Sequence, residues 1–361
     1  MNLRNLLRVE WALTLSEEEL ISPRGLSGPR VSIVGVGGAG NHLLNQAIDA
    51  GASPSNCVAV NTDRSQLSKS PADNKVLLDG RSGSDQSSDL PTIDYRRARQ
   101  LTAHRVKPFI EGSDCTILLA GLGGETATEA APAIAQYTRT SVRPVISVVA
   151  IPFIHERERR FIALRGLKHL VDSCDSTIVI DNALNNHITS SDSLQADEKA
   201  TQAVQVLTDI VSGLDPRLMP EALRIMSLGP IACICSATLL PGETVQGAVI
   251  RALGAPSANL PITKTTGAIL LHRGPSSLGD GEAQQAYEAL ASLVGNDIAF
   301  LHASIRSQSR STYLLLTGFD YRTAVRTFVN FIEDLYDVEY GERGVESILG
   351  FNIPLFQMEL P

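Results

Sequence analysis

Ala120-Gly121-Leu122-Gly123-Gly124-Glu125-Thr126-Ala127-Thr128-Glu129-Ala130-Ala131-Pro132 is the stretch on which the fold turns. It follows an apolar run, Cys115–Ala120, that reads as a buried strand, and it leads into a helical pattern over Glu129–Tyr137. Glycines at such a junction let the backbone come close to an anion, and the helix N-terminus offers unpaired N–H groups and the positive end of a dipole. A similar junction lies upstream, where Gly35-Val36-Gly37-Gly38-Ala39-Gly40-Asn41 joins the run Val31–Val36 to a helical pattern over Asn41–Ala50. Taken alone, that first loop is weak evidence, since glycines also make tight strand-to-helix turns. It also fits a dinucleotide site, because Asn61-Thr62-Asp63 places an acid about 20 residues on, where a ribose would be held. Two phosphate-type loops at the carboxyl ends of strands in one sheet are not that plan, and an NAD-dependent oxidoreductase loses its support.

Outward from the two loops, strand-like runs alternate with helical patterns from Arg30 to about Ile180, which implies a mostly parallel sheet covered on both faces. The further strands are expected at Cys57–Asn61, Val76–Leu78, Val145–Ala150 and Thr177–Ile180, with a charged helix over Glu156–Val171. A long helix is expected over Leu194–Val211, with Ala196, Ala200, Ala203, Val204, Leu207, Ile210 and Val211 on its buried face. Gly213, Pro216 and Pro220 then break the chain, and Pro220 opens a short helix to Met226. A second unit follows: strand Ile231–Ala237, helix Thr244–Leu253, strand Ala268–His272, helix Glu282–Val294, strands Ile298–Ile305 and Tyr313–Thr317, and a last helix over Tyr321–Tyr336. The expected class is α/β: a Rossmann-like domain with a parallel sheet, a long central helix, and a second α+β domain with a mixed sheet. The expected division is an N-terminal extension (1–29), a first domain (30–190), the central helix (191–213), a second domain (214–320) and a C-terminal helix and tail (321–361).

Composition narrows the function. The 361 residues suit about two domains, and 43% hydrophobic content excludes a disordered chain. Aromatics are only 5%, so Ala, Val, Ile and Leu must fill the cores. The net charge is −8 with no long basic block, which argues against nucleic-acid binding. Apolar stretches such as Ile117–Leu122 and Val145–Ile154 are far short of the roughly 20 residues that span a bilayer, and the N-terminus carries no signal-peptide pattern. Five scattered cysteines read as reduced core thiols, and seven histidines never cluster, so no protein metal site is expected. Cys233 and Cys235 share one strand face, where packing is the simpler reading than metal. These features together predict a soluble cytoplasmic protein.

The ordered set of motifs resembles the FtsZ/tubulin superfamily, most closely its prokaryotic FtsZ branch, as a divergent archaeal FtsZ-like protein. Gly35–Asn41 with Asn61-Thr62-Asp63 resembles that family's first phosphate loop and second-strand motif. Gly121–Pro132 is similar to the family signature GGGTGTG followed by AAP. Pro152-Phe153 with Glu156 and Arg160 resembles the ribose-side turn, Asn182 ends a strand that presents an asparagine to guanine, and Glu198 lies where a guanine-reading carboxylate is placed. The resemblance covers about Arg30 to Phe319 and implies the tubulin/FtsZ fold. It also implies GTP or GDP with Mg²⁺ between subunits, head-to-tail protofilaments of the chain with itself or another FtsZ, and a role in division or cell shape at the division site. The nucleotide-binding residues it carries over are Gly37, Gly38, Ala39, Asn41, Asp63, Gly123, Gly124, Glu125, Thr126, Ala127, Thr128, Glu156, Arg160, Asn182 and Glu198.

The sequence departs from the family at chemically sensitive positions. Glu125, Ala127 and Glu129 stand where the signature has glycine. Glu125 either repels a polyphosphate or points outward, with Glu129 on a first helical turn that favours acids. Gly80–Asp89 is Ser/Asp-rich where the family is glycine-rich. The family pattern NxDFAD supplies acids to the nucleotide of the next subunit. Aligned on Met226-Ser227, this chain has Leu218 for the first acid and Glu221 for the second, with Asp215 nearby but out of register. Arg157 replaces a glycine, and Ala183 follows Asn182 where an acid is common; Glu156–Arg160 also reads as a solvated helix start. Phe351-Asn352-Ile353-Pro354-Leu355-Phe356 resembles the family's docking peptide, DIPxF, for a membrane adaptor, without its basic residues, and it alternatively folds back on the second domain. Weak or absent GTP hydrolysis is therefore expected, with Glu221 and Asp215 as the candidate catalytic acids. The alternative is a filament or scaffold protein that assembles without nucleotide.

Overall fold

The computed structural model describes residues 30–78, 95–139, 144–184, 190–210, 215, 217–324 and 328, with the side chains of 95–102 and 190–197 outside the description. Its described strands form one ten-stranded sheet in the order β3-β2-β1-β4-β5-β6-β7-β10-β8-β9. The first six are β1 (Val31–Val36), β2 (Cys57–Asn61), β3 (Asn74–Leu77), β4 (Cys115–Gly121), β5 (Val145–Ile151) and β6 (Ser176–Asp181), all parallel. The others are β7 (Ile231–Thr238), β8 (Gly267–Gly274), β9 (Ala299–Arg306) and β10 (Ser311–Phe319). β7 continues the parallel set from β6, while β10 lies antiparallel between β7 and β8. The mixed arrangement expected of the second unit is present, joined edge to edge to the first.

Helices cover both faces. On one side lie α1 (Gly37–Asp49), α2 (Arg64–Lys69), α6 (Ser190–Thr208) and α7 (Met219–Met226). On the other lie α3 (Tyr95–Ile110), α4 (Glu125–Arg139), α5 (Arg157–Val171), α8 (Val245–Leu253) and α9 (Asp280–Val294). Because successive side chains of a strand point to opposite faces, Ile117 and Leu119 of β4 enter one core while Leu118 and Ala120 enter the other. The central helix α6 buries Ala200, Ala203, Val204 and Leu207 as its periodicity predicts. Scarce aromatics are offset by alanine: α4 buries Ala127, Ala130, Ala131, Ala133 and Ala135 against its neighbours.

Several expectations need correction. α4 starts at Glu125, not Glu129, because Glu125, Thr126 and Ala127 are ordinary helix residues where flexible glycines would have stayed a loop. α1 likewise starts at Gly37, inside the glycine run. α2 and α3 were not expected at all. The last helix begins at 321 as expected, while most of Tyr321–Tyr336, the loop Gly80–Asp89 and the tail from Phe351 lie outside the described residues.

The junction of the two units is a seam. β6 and β7 share only Thr177↔Ile231 and Ile178↔Ala232, then diverge, and the segment around Ser257 fills the gap. The Ser257 N–H donates to Ile234 O at 2.7 Å, and its carbonyl accepts from the Asp181 N–H at 2.7 Å. Its hydroxyl donates to Val179 O at 2.7 Å and accepts from the Ile234 N–H at 3.0 Å. Lys199 of α6 donates to the neighbouring Pro256 carbonyl at 3.2 Å.

All five cysteines are buried and unbridged. Burial pushes the thiols of Cys57, Cys115 and Cys174 up to about 12, so the reactive thiolate is suppressed at neutral pH. Ellman's reagent is expected to leave the native protein unlabelled at pH 8 and to titrate every thiol after unfolding in guanidinium. Rapid labelling of the native form would place a cysteine outside the core.

Candidate functional site

Both glycine junctions lie at the carboxyl ends of adjacent strands, β1 and β4, so two helix N-termini open at the same edge of the sheet. Their positive dipole ends and unpaired N–H groups therefore add at one place. Gly37 has φ +74° and Gly123 has φ +88°, values that L side chains rarely adopt. The loops also interlock. A Cβ at Gly37 would lie 3.3 Å from the Ala127 methyl, and a Cβ at Gly121 would lie 2.4 Å from the Ala39 methyl. Ala127 is accommodated because it is helical, and its methyl fills the space over Gly37. Across the same opening the Thr62 and Thr126 hydroxyls share a hydrogen bond of 3.1 Å.

Asn41 is buried at the foot of the first loop. Its Nδ2 donates to Val60 O at 3.3 Å, and its Oδ1 has no partner among the described residues. Gly38 and Ala39 are exposed, and a Cβ on Gly124 would meet nothing within 4 Å, so both loops present open backbone. A buried acceptor without a partner, open glycine backbone and paired hydroxyls suit a phosphate-bearing ligand that donates and accepts hydrogen bonds. A metal has no cage here: no group of three His, Cys, Asp or Glu among the described residues could hold one.

Asp63 caps α2, its Oδ1 accepting from Ser65 N–H at 2.7 Å and Gln66 N–H at 3.3 Å. That role explains why the short helix forms. Gln66 accepts from Asn61 Nδ2 at 2.9 Å, and its Oε1 lies 3.1 Å from where a Cβ of Gly38 would stand. It borders the first loop and was not foreseen. The spacing Asp63-x-x-Gln66, a capping-box pattern, is the signal that finds it.

On the ribose side, Glu156 accepts from the Phe153 N–H at 3.1 Å and pairs with Arg159. The first turn of α5 is not uniformly solvated: Arg160 is 1% exposed and is engaged with Asp181, itself 5% exposed. α5 also supports the second loop, since a Cβ at Gly123 would lie 2.4 Å from Arg159 O, and one at Gly166 would lie 2.6 Å from the Thr128 methyl. The Thr128 hydroxyl accepts from the Gly123 N–H at 3.2 Å. Asn182 opens a half-buried turn after β6, and Glu198 is exposed on α6, accepting from Gln202 at 3.1 Å. Glu125 is exposed on the first turn of α4, as is Glu129 one turn on.

Asp215 and Glu221 are not brought to the glycine loops of their own chain. They precede and open α7, which lies against β8, β9 and β10. Arg217 holds the Asp215 carboxyl down to about 2 through hydrogen bonds from its guanidinium and backbone N–H. Glu221 takes a two-pronged contact from Arg224 at 2.6 and 2.7 Å.

The interlocked loops generate a test. Gly121→Ala is expected to cost about 1–3 kcal/mol in denaturant unfolding, because two methyls cannot occupy one space. Most of that loss should vanish in an Ala39→Gly background. Equal costs in both backgrounds would remove the contact from the account.

Comparison with known proteins agrees with this geometry. Residues 30–189 match the model of the Tubulin/FtsZ family GTPase domain. The chain is 33% identical over 272 residues to cell division protein FtsZ 1 of Pyrococcus furiosus, covering 72% of each chain. It is similar to a solved FtsZ from M. jannaschii, with TM-score 0.69 and 26% identity over 81% of this chain and 91% of that one. It shares the fold of CetZ2 from Haloferax volcanii, solved as a GTPγS-bound protofilament, with TM-score 0.68 and 19% identity over 86% of this chain and 99% of that one. Two phosphate-type loops on one sheet edge, the long helix α6 and the mixed β7–β10 region thus have one explanation: the chain belongs to the tubulin/FtsZ family.

Proposed function

We propose that this protein binds GTP or GDP between its two glycine loops and assembles head to tail with copies of itself into protofilaments, with weak or absent hydrolysis, in cell division or cell shape. The observation that carries the reading is the pair of adjacent helix N-termini, locked together by the Ala39–Gly121 and Ala127–Gly37 contacts beside the unpartnered Oδ1 of Asn41. Backbone N–H groups around Gly37, Gly38 and Ala39 and around Gly123, Gly124 and Glu125–Thr128 would hold the phosphates, with the Thr126 hydroxyl beside them. Glu156 would serve the ribose, and Asn182 and Glu198 the base. Mg²⁺ would be held chiefly by phosphate oxygens and would shield them from Glu125 and Glu129. The nucleotide, when bound, supplies a hydrolysable phosphoanhydride.

Weak turnover follows from this chain's own groups. Leu218 offers no proton acceptor where the family supplies an acid. Arg217 holds the Asp215 carboxyl down to about 2, which reduces its basicity toward a water molecule, and Glu221 is engaged by Arg224. Head-to-tail contact is heterologous and does not close, so it gives open filaments, in keeping with the protofilament formed by the CetZ2 relative. A second reading, assembly without nucleotide, is favoured by the two exposed carboxylates at the second loop, Glu125 and Glu129, which oppose a polyphosphate. Docking to a membrane adaptor through Phe351–Phe356, and mixed filaments with another FtsZ, remain part of this proposal.

The first experiment is the nucleotide content of the purified protein, released by denaturation and resolved by anion exchange. Stoichiometric guanine nucleotide is expected; an empty site that stays empty at millimolar GTP with Mg²⁺ would transfer support to the nucleotide-independent scaffold. Sedimentation with and without GTP then reads assembly, which is expected to depend on nucleotide. A Glu125→Gly, Glu129→Gly variant should bind GTP several-fold more tightly, most at low salt, if its carboxylates repel phosphate. Unchanged affinity would show that they do not.

A further inference from the structure

Arg160 is a fully buried arginine on a helix whose neighbouring charges Glu158 and Arg159 are exposed. Its Nη1 and Nη2 donate to Asp181 Oδ1 and Oδ2 at 2.7 and 2.9 Å, and Nη1 also donates to Pro152 O at 2.7 Å. Asp181 Oδ1 in turn accepts the Ala183 N–H at 3.0 Å. The chain of bonds therefore runs from the Pro152 turn, through the first turn of α5, to the turn Asn182–Leu184. Every link is short, and both charged ends are excluded from water.

We propose that Arg160 is a positioning residue for recognition of the base, acting through Asp181. The proposal rests on the reading that this face binds a nucleotide. Asn182 leaves the sheet at the residue after β6, where the strand's ladder no longer fixes it. The Asp181 carboxylate pins the N–H just beyond it, and the arginine fork pins the carboxylate in both in-plane directions, which a lysine could not do. Turning the guanidinium away from Asp181 would leave a buried carboxylate without its partner, which is unfavourable. Glu156, whose carboxylate is only half-buried, is the more accessible group of the ribose-side turn.

Two variants test this. Asp181→Asn breaks the pair. The double variant Arg160→Met, Asp181→Leu removes both charges together, a replacement that buried pairs often tolerate without loss of fold. In nucleotide-free protein, amide hydrogen exchange is expected to speed up at 181–184 and 152–156 and to stay unchanged at the glycine loops, 35–41 and 121–128. Exchange unchanged at 181–184, or raised equally everywhere, overturns the proposal. In competition binding, the preference for GTP over ATP should fall about tenfold, the worth of one lost hydrogen bond to a base, while affinity for inorganic triphosphate is unchanged. An equal weakening of all three ligands, with the preference intact, also overturns it. A wild-type protein that binds none of them defeats the nucleotide reading alone, and the exchange measurement still decides what the pair does.

Discussion

The Ala39 methyl rests on Gly121 backbone that has no room for a second methyl, and the Ala127 methyl packs tightly over Gly37. These reciprocal contacts hold α1 and α4 at one separation, and the rest of the site is arranged around that separation. The Thr62–Thr126 hydrogen bond crosses it, and α5 supports it from below through Gly123 and Gly166. The cost of the arrangement is electrostatic, since two positive helix ends share one edge, each equivalent to about half a unit charge. Glu125 on the first turn of α4 offsets part of that cost within the protein itself. A residue that looks like damage to a phosphate loop is therefore also a helix-start acid in a favourable place.

Much of the fold was legible in the chain. β1 and β2 have the limits read from their apolar runs, and the spacing of Ala200, Ala203, Val204 and Leu207 gave the buried face of α6. Both helix starts lie earlier than expected for one reason: glycine-rich stretches imply loops, yet Gly37 and Glu125 are the first helical residues. α2 is too short for a periodic signal, and its start is marked by the capping bond from the Ser65 N–H to Asp63. α3 is polar on average and carries Pro108 near its end, two features that disguise a helix.

The candidate site was less legible than the fold, because sequence gives residue types and not their commitments. Arg160 sits in a run of charges that looks solvated throughout, yet it is the interior member, and its partner Asp181 was passed over as the last residue of an apolar strand. Breaking such a pair by removing one member typically costs about 3–5 kcal/mol, far more than an exposed pair like Arg217–Asp215 contributes. Burial, which separates the two cases, depends on packing across β5, β6 and α5. That information is spread over more than twenty positions of chain and has no local pattern.

The seam at β6 and β7 gives the sheet an uneven stiffness. Most neighbouring strands are laced along their length, but here two registered residue pairs are followed by a gap bridged through Ser257. A pull along the sheet would concentrate on that bridge, since a few bonds there carry what a full ladder carries elsewhere. Ser257 joins Val179 on one side to Ile234 on the other, and the Asp181 N–H leans on its carbonyl. The molecule thus has a built-in compliance at the strand that leads directly into the turn carrying Asn182, where bending of one half against the other would first be felt.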